Sequence, residues 1–166
     1  MKLSAFDKSA AWLAIQPRTE KEVRDYLKKK EYSPSEIDDA VEKLLEYGYV
    51  DDTAYGAAFI RRSAAKGWGR GKIDRSLTEK GISRTHMEAA WEQLAEETEG
   101  EPEASYLFDE KKRALETAVK MTRQHLEEGK SLDEKFLARV GRHLAGRGYS
   151  ADTVYFAVNK LRGLKR

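Results

Sequence analysis

The sequence predicts an all-α fold of three tandem three-helix repeats, and three observations carry that prediction. A 23-residue pattern occurs three times without a gap, over 22–44, 72–94 and 139–161. Apolar residues recur at intervals of three and four almost throughout, the spacing that lines one face of a helix. No segment alternates apolar and polar residues between turn signals as a half-buried strand would. In the repeats the apolar anchors coincide: Val23, Ile73 and Val140; Leu27, Leu77 and Leu144; Ile37, Met87 and Val154. Ala40, Ala90 and Ala157 follow, then Val41, Trp91 and Val158, then Leu44, Leu94 and Leu161. A unit this short cannot bury its apolar face alone, so the copies stack. Such a body offers a surface for a large partner rather than a pocket for a small one.

The elements follow from their punctuation. A first apolar helix over 4–15, carrying Trp12 as a core residue, stops before Pro17. Thr19 with Glu22 forms a capping box that opens a helix over 19–30. Ser33-Pro34-Ser35-Glu36 supplies an N-cap, a proline at the first helical position and a first-turn acid for a helix over 34–47, which Gly48 ends. Asp51-Asp52 reads as a cap and first-turn acid for 52–65, and Gly67 and Gly81 close 52–65 and 70–80. Ser83 caps 84–97, in which Trp91 is a core anchor. The stretch 96–105 carries glycine, proline and acids and reads as a mobile acidic linker. It lengthens the spacing between repeats from 50 to 67 residues. One long helix over 105–127 ends at Gly129; Ser131 with Glu134 forms a capping box for 132–146; Ser150 caps 151–162 after Gly148. Each repeat is then a lead helix followed by the repeated pair, with domains at 1–50, 51–98 and 105–166.

Composition narrows the function classes. Hydrophobic residues reach 40%, too many for plain disorder despite 36% charged residues. The absence of cysteine excludes disulfides and thiol chemistry and suggests the cytoplasm. No apolar run approaches a membrane span, and the N-terminus lacks a signal-peptide core. His86, His125 and His143 lack metal-ligand spacing, so neither a metal nor a cofactor is expected, and no catalytic constellation stands out. The net charge of +2 conceals blocks. Residues 60–84 hold eight bases against two acids, 88–110 nine acids and no base, and 135–166 eight bases against one acid. Such blocks suit contact with polyanions or charged protein grooves.

Two motifs bear on chemistry. The segment Lys66-Gly67-Trp68-Gly69-Arg70-Gly71-Lys72 has a glycine-rich look but is not a phosphate-binding P-loop. That motif needs glycine where Lys66 stands and Ser or Thr where Ile73 stands. The segment is either a helix connector or a contact loop whose Trp68 meets a base or a protein. The repeated pairs also look like helix-turn-helix units, but the second helices over 35–46 and 84–97 are acidic and would be repelled by phosphates. The bases lie instead on the first helices, with Lys30, Lys80 and Arg147 at one equivalent position near the turn.

The run Tyr47-Gly48-Tyr49-Val50-Asp51-Asp52, then Arg61, Arg62, Lys66-Gly67-Trp68-Gly69, Ile73, Leu77 and Lys80-Gly81-Ile82-Ser83, resembles the central repeat of the RecX regulatory proteins. Thr19-Glu20-Lys21-Glu22-Val23 with Leu27 resembles the first repeat, and Leu144 with Arg147-Gly148-Tyr149-Ser150 the last turn. Arg70 stands where the family often has proline, and Val23 where leucine is common. The resemblance implies an elongated, curved array that binds the RecA filament and mainly inhibits its ATPase, strand-exchange and coprotease activities without being an enzyme. The contact residues expected are Arg61, Arg62, Lys66, Trp68, Arg70, Lys72, Arg75 and Lys80, extended by Arg139, Arg142 and Arg147. The RecA filament is the expected partner, with single-stranded DNA inside it as a second, and the expected state is a monomer. The rival readings are a direct single- or double-stranded DNA binder without RecA specificity and a plain helical scaffold.

Overall fold

The structure is a computed structural model and describes residues 1–164; Lys165 and Arg166 of the terminal basic block lie outside the described residues. Among the described residues it has ten helices and no strand. They are α1 (Ala5–Leu13), α2 (Glu20–Lys29), α3 (Pro34–Glu46), α4 (Asp52–Ala65) and α5 (Arg70–Glu79). Then come α6 (Arg84–Glu97), α7 (Pro102–Phe108), α8 (Glu110–Glu127), α9 (Glu134–Gly146) and α10 (Ala151–Gly163). The chain forms two compact units, one of Met1–Phe59 with Ser76–Gln93, the other of Ile60–Arg75 with Leu94–Arg166. Helices α4, α5 and α6 each contribute to both units.

The caps act as their residue types require. The Thr19 hydroxyl accepts from Glu22 N at 3.2 Å while the Glu22 carboxylate accepts from Thr19 N at 3.4 Å, closing the capping box. Ser33, Ser83 and Ser150 accept from the backbone N–H three residues on, at 3.2, 3.2 and 3.3 Å. Asp51 caps α4 by accepting from Ala54 N at 3.0 Å. Its neighbour Asp52 is buried and serves a different helix, accepting from Glu20 N at the start of α2 at 3.0 Å. Burial pushes the Asp52 carboxyl above its ordinary value, against the pull of that backbone bond.

In the first unit, Val23, Leu27, Ile37, Val41 and Leu44 from α2 and α3 pack with Ala5 of α1 into one core. Trp12 sits beside this core rather than in it: half-buried, stacked on Tyr26 at 4.0 Å, with the Arg18 guanidinium 4.4 Å above its ring. Trp91 is buried, as its anchor position requires. In the second unit, Ala114 and Ala118 of α8 close against Leu137, Val140 and Leu144 of α9 and Ala157 and Leu161 of α10.

Three local departures from the sequence reading have physical causes. The single helix over 105–127 is two helices that meet at Asp109. There φ is −94° and ψ 86°, and the aspartate caps α8 by accepting from Lys112 N at 3.0 Å. The last carbonyls of α7 are taken by the Arg113 guanidinium, which reaches Tyr106 O at 2.9 Å and Leu107 O at 2.7 Å. Along 96–105, α6 continues to Glu97 and α7 begins at Pro102, leaving a turn with Gly100 at φ 78°. The cap of α9 is Asp133, accepting from Phe136 N at 2.8 Å, and not Ser131. His125 Nε2 instead lies 2.8 Å from the Ser131 carbonyl.

Candidate functional site

The glycine-rich segment between α4 and α5 is fastened along its backbone within the second unit. Arg147 Nη1 donates to Lys66 O at 3.0 Å, Tyr149 Oη to Gly67 O at 2.7 Å, and Arg113 Nη2 to Trp68 O at 3.0 Å. In the other direction Gly69 N donates to Arg147 O at 2.7 Å and Gly71 N to Gly148 O at 3.2 Å. The two stretches of backbone touch. A Cβ on Gly69 would lie 2.6 Å from Gly148 C and Tyr149 N, and one on Gly148, at φ +89°, would lie 2.3 Å from Lys72 N. Glycine is required here by contact as well as by conformation.

The same docking recurs one repeat earlier, inside the first unit. Thr19 Oγ1 donates to Lys80 O at 2.7 Å, and a Cβ on Gly81 would lie 2.4 Å from Lys21 Cβ. Thr19 and Gly69 are equivalent by the 50-residue spacing, and Lys80 and Arg147 by the 67-residue spacing. The turn of each later repeat therefore seats on the start of the first paired helix of the repeat before it. The equivalent turn of the first repeat carries Glu31, a non-glycine residue at φ 65°. That side chain is exposed, and the turn meets the start of the chain instead, with Lys2 Nζ donating to Glu31 O at 3.4 Å and Tyr32 Oη to Leu3 O at 2.6 Å.

Ten of the eleven expected contact residues fall in the second unit; Lys80 alone falls in the first. Their surroundings differ sharply. Arg62, Lys66, Arg70, Arg75, Arg139 and Arg142 are exposed. Arg61 is engaged inside the unit, 2.9 Å from Glu103 and 3.1 Å from Glu97. The hydrogen bond that Arg61 Nε donates to Glu103, reinforced by the charges of Glu103 and Glu97, raises its already high pKa. Arg70 pairs with Asp74 at 3.4 Å, and its backbone N–H caps onto Glu110 Oε1. Trp68 is half-buried, with Lys72 Nζ 4.2 Å from its ring centre. Arg147 is half-buried and holds the Lys66 carbonyl. Lys80 lies 3.6 Å from Glu22 and about as close to Phe59, 5.9 Å, as to Tyr55, 6.0 Å. His143 joins this basic set: burial, then Arg147 and Lys72, lower its pKa.

The sequence gives no sign of Arg113. It is 1% exposed, and its guanidinium ties α7, α8 and Trp68 together. It lies beside the buried stripe of Ala114, Ala118, Thr122 and His125 rather than on it, and its Trp68 acceptor is 45 positions away. Among the described residues no group of three or more His, Asp or Glu could hold a metal ion, and no helix is long and apolar enough to cross a membrane.

This arrangement matches known proteins along the chain. The family model described as "RecX, first three-helix domain" matches residues 5–54, and "RecX, second three-helix domain" matches residues 51–90. The regulatory protein RecX of Bacillus subtilis (strain 168) is 30% identical over 94% of this chain and 54% of its own length. That of Lactobacillus delbrueckii subsp. bulgaricus (strain ATCC BAA-365 / Lb-18) is 42% identical over 56% of this chain and 35% of its own. The chain thus spans about half or less of the length of these curated relatives. The crystal structure of RecX from Lactobacillus salivarius superposes with a TM-score of 0.74 at 19% identity, covering 95% of this chain and 94% of that one. With both repeat models in tandem and relatives aligned along nearly all its residues, the chain belongs to the RecX family.

Proposed function

We propose that this chain is a non-enzymatic regulator that binds the RecA filament and chiefly inhibits its ATPase, strand-exchange and coprotease activities. Family membership supports the regulatory role, and one observation of this chain supports the surface. Six expected contact cations stay exposed and share one unit, although neighbouring stretches of that chain are strongly acidic. Cations arranged in this way attract a polyanionic nucleoprotein, with an attraction that weakens as salt rises. The contact set includes Arg62, Lys66, Arg70, Arg75, Arg139 and Arg142, with Trp68 presented by the fastened loop and Lys72 by the first turn of α5. Arg61, Lys80 and Arg147 add positive charge while their polar atoms hold the fold. The reading takes the chain as three modules, 1–50, 51–98 and 105–166, working as a cytoplasmic monomer, with single-stranded DNA within the filament as a secondary contact.

The test is RecA-dependent ATP hydrolysis on single-stranded DNA with this protein titrated in, beside a salt titration of its binding to the same DNA without RecA. The proposal expects inhibition at protein concentrations where binding to bare DNA is weak. Tight binding to bare DNA at physiological salt, with inhibition that tracks it, would favour direct DNA competition instead.

A further inference from the structure

The third repeat differs from the first two on one face. A groove of about 490 Å³ opens between α9 and α10, floored by Leu137, Gly141, Ala145, Val154, Tyr155 and Val158. Three of these positions carry charge or polarity in the other repeats. Gly141 corresponds to Arg24 and Asp74, Ala145 to Lys28 and Thr78, and Tyr155 to Asp38 and Glu88. In the first repeat the corresponding space is bridged by the Arg24–Asp38 ion pair at 2.7 Å. In the third, glycine and tyrosine leave it open. The consequence shows in the anchors: Ile37 and Val41 are buried at 8% and 1% exposure, whereas Val154 and Val158 are only half-buried and Tyr155 is 68% exposed. Gly141 is not there for close packing, because a Cβ would meet only the Val154 and Val158 methyls at an ordinary 3.7 Å.

The charges around the groove select its occupant. Glu134 is matched by Arg162 at 3.0 Å, and Asp152 by Lys111 at 3.2 Å. Lys135 and Arg142, on the turns of α9 that flank the groove, are exposed and form no ion pair among the described residues. The rim is therefore cationic around an apolar floor. On α9 the groove lining runs from Glu134 at one end to Ala145, about 16 Å of helix at 1.5 Å per residue, or about three turns of a partner helix. We infer that this groove is a docking site for an acidic amphipathic helix of a protein partner, whose apolar face fills the floor and whose carboxylates meet Lys135 and Arg142. The inference shares Arg142 with the RecA reading but does not rest on it, since neither the groove floor nor Lys135 belongs to the proposed filament-contact set.

The probe is a helical peptide about 16 residues long with leucines at i, i+3, i+4 and i+7 and glutamates on its other face, beside a twin with lysine for glutamate. Binding is read from amide shifts of the full chain and from fluorescence anisotropy. The acidic peptide should shift Gly141, Ala145 and Val158 and bind about tenfold tighter than its twin. The variant G141R/Y155D, which rebuilds the ion pair of the first repeat, should weaken the acidic peptide about tenfold while leaving helical content and RecA ATPase inhibition unchanged. Lys135→Glu, a surface change, should narrow the preference between the peptides about threefold, which keeps the test available if the double variant is unstable. Absence of binding by either peptide, equal binding of both, shifts elsewhere, or undiminished binding to folded G141R/Y155D would each overturn the inference. Loss of RecA inhibition in the parent protein would leave it untouched, so the two proposals fail separately.

Discussion

Replacing Gly148 by alanine tests whether the repeats are joined by backbone seated on backbone. Gly148 has φ +89°, and its added Cβ would stand 2.3 Å from Lys72 N and 2.4 Å from Lys72 Cβ. Neither neighbour is the far end of a flexible side chain, so the turn has to lift. The left-handed conformation alone costs an L-residue about 1–2 kcal/mol. Lifting the turn endangers three hydrogen bonds: Gly69 N to Arg147 O at 2.7 Å, Gly71 N to Gly148 O at 3.2 Å, and Tyr149 Oη to Gly67 O at 2.7 Å. At about 0.5–1.5 kcal/mol net for each, partial loss brings the expected destabilisation to about 2–5 kcal/mol. Glu31→Ala is the matched control, because Glu31 occupies the same repeat position at φ 65° and already carries a side chain. It should change stability by less than about 0.5 kcal/mol. Urea unfolding followed by circular dichroism gives both values, and hydrogen exchange should show lost protection at Gly69 and Gly71 in the Gly148 variant alone. Equal stability effects of the two substitutions would refute the seating argument.

Other outcomes follow from single buried groups. Arg113→Leu should destabilise the second unit by about 3–5 kcal/mol, because the carbonyls of Tyr106, Leu107 and Trp68 lose the donor that satisfies them; a loss under about 1 kcal/mol in urea unfolding would contradict that role. Asp52 is held above its ordinary pKa of 3.8 by burial. Protonated Asp52 is thus the form the fold favours, a contribution complete below pH 3.8 and lost as pH rises through the raised value. Asp52→Asn keeps an acceptor for Glu20 N and removes the charge, so its stability relative to the parent should climb across that window and then level off. A relative stability that falls with pH would show that the carboxylate is the favoured form.

The helices were legible because their ends are marked by residues with a local mechanism. Thr19, Ser33 and Ser150 cap through their own side chains, and Gly67, Gly81 and Gly148 adopt positive φ where a helix must stop. What spacing could not show were effects of distant partners. The break at Asp109 depends on Arg113 turning back onto α7, and the burial of Arg113 depends on Trp68. Ser131 has the sequence of a cap, but its carbonyl lies in hydrogen-bonding reach of His125, and Asp133 caps the helix two residues later. The basic surface was legible as a charge count, not as geometry. Arg61, Lys80 and Arg147 look like free cations in the sequence, whereas the first two pair with carboxylates and the third holds a loop carbonyl. The glycines of 67–71 look like flexibility in the sequence; in the fold two of them permit close backbone contact.

The most direct test of the functional account is RecA ATP hydrolysis on single-stranded DNA in the presence of Arg62→Glu/Lys66→Glu/Arg75→Glu. These three residues are exposed and lie in the second unit, so reversing them should leave the helical content and unfolding transition in place. The account predicts at least a tenfold rise, on the order of 1.4 kcal/mol, in the concentration needed for half-inhibition, with a weaker dependence on salt. Inhibition by the folded triple variant at the parent's concentration and salt dependence would contradict it.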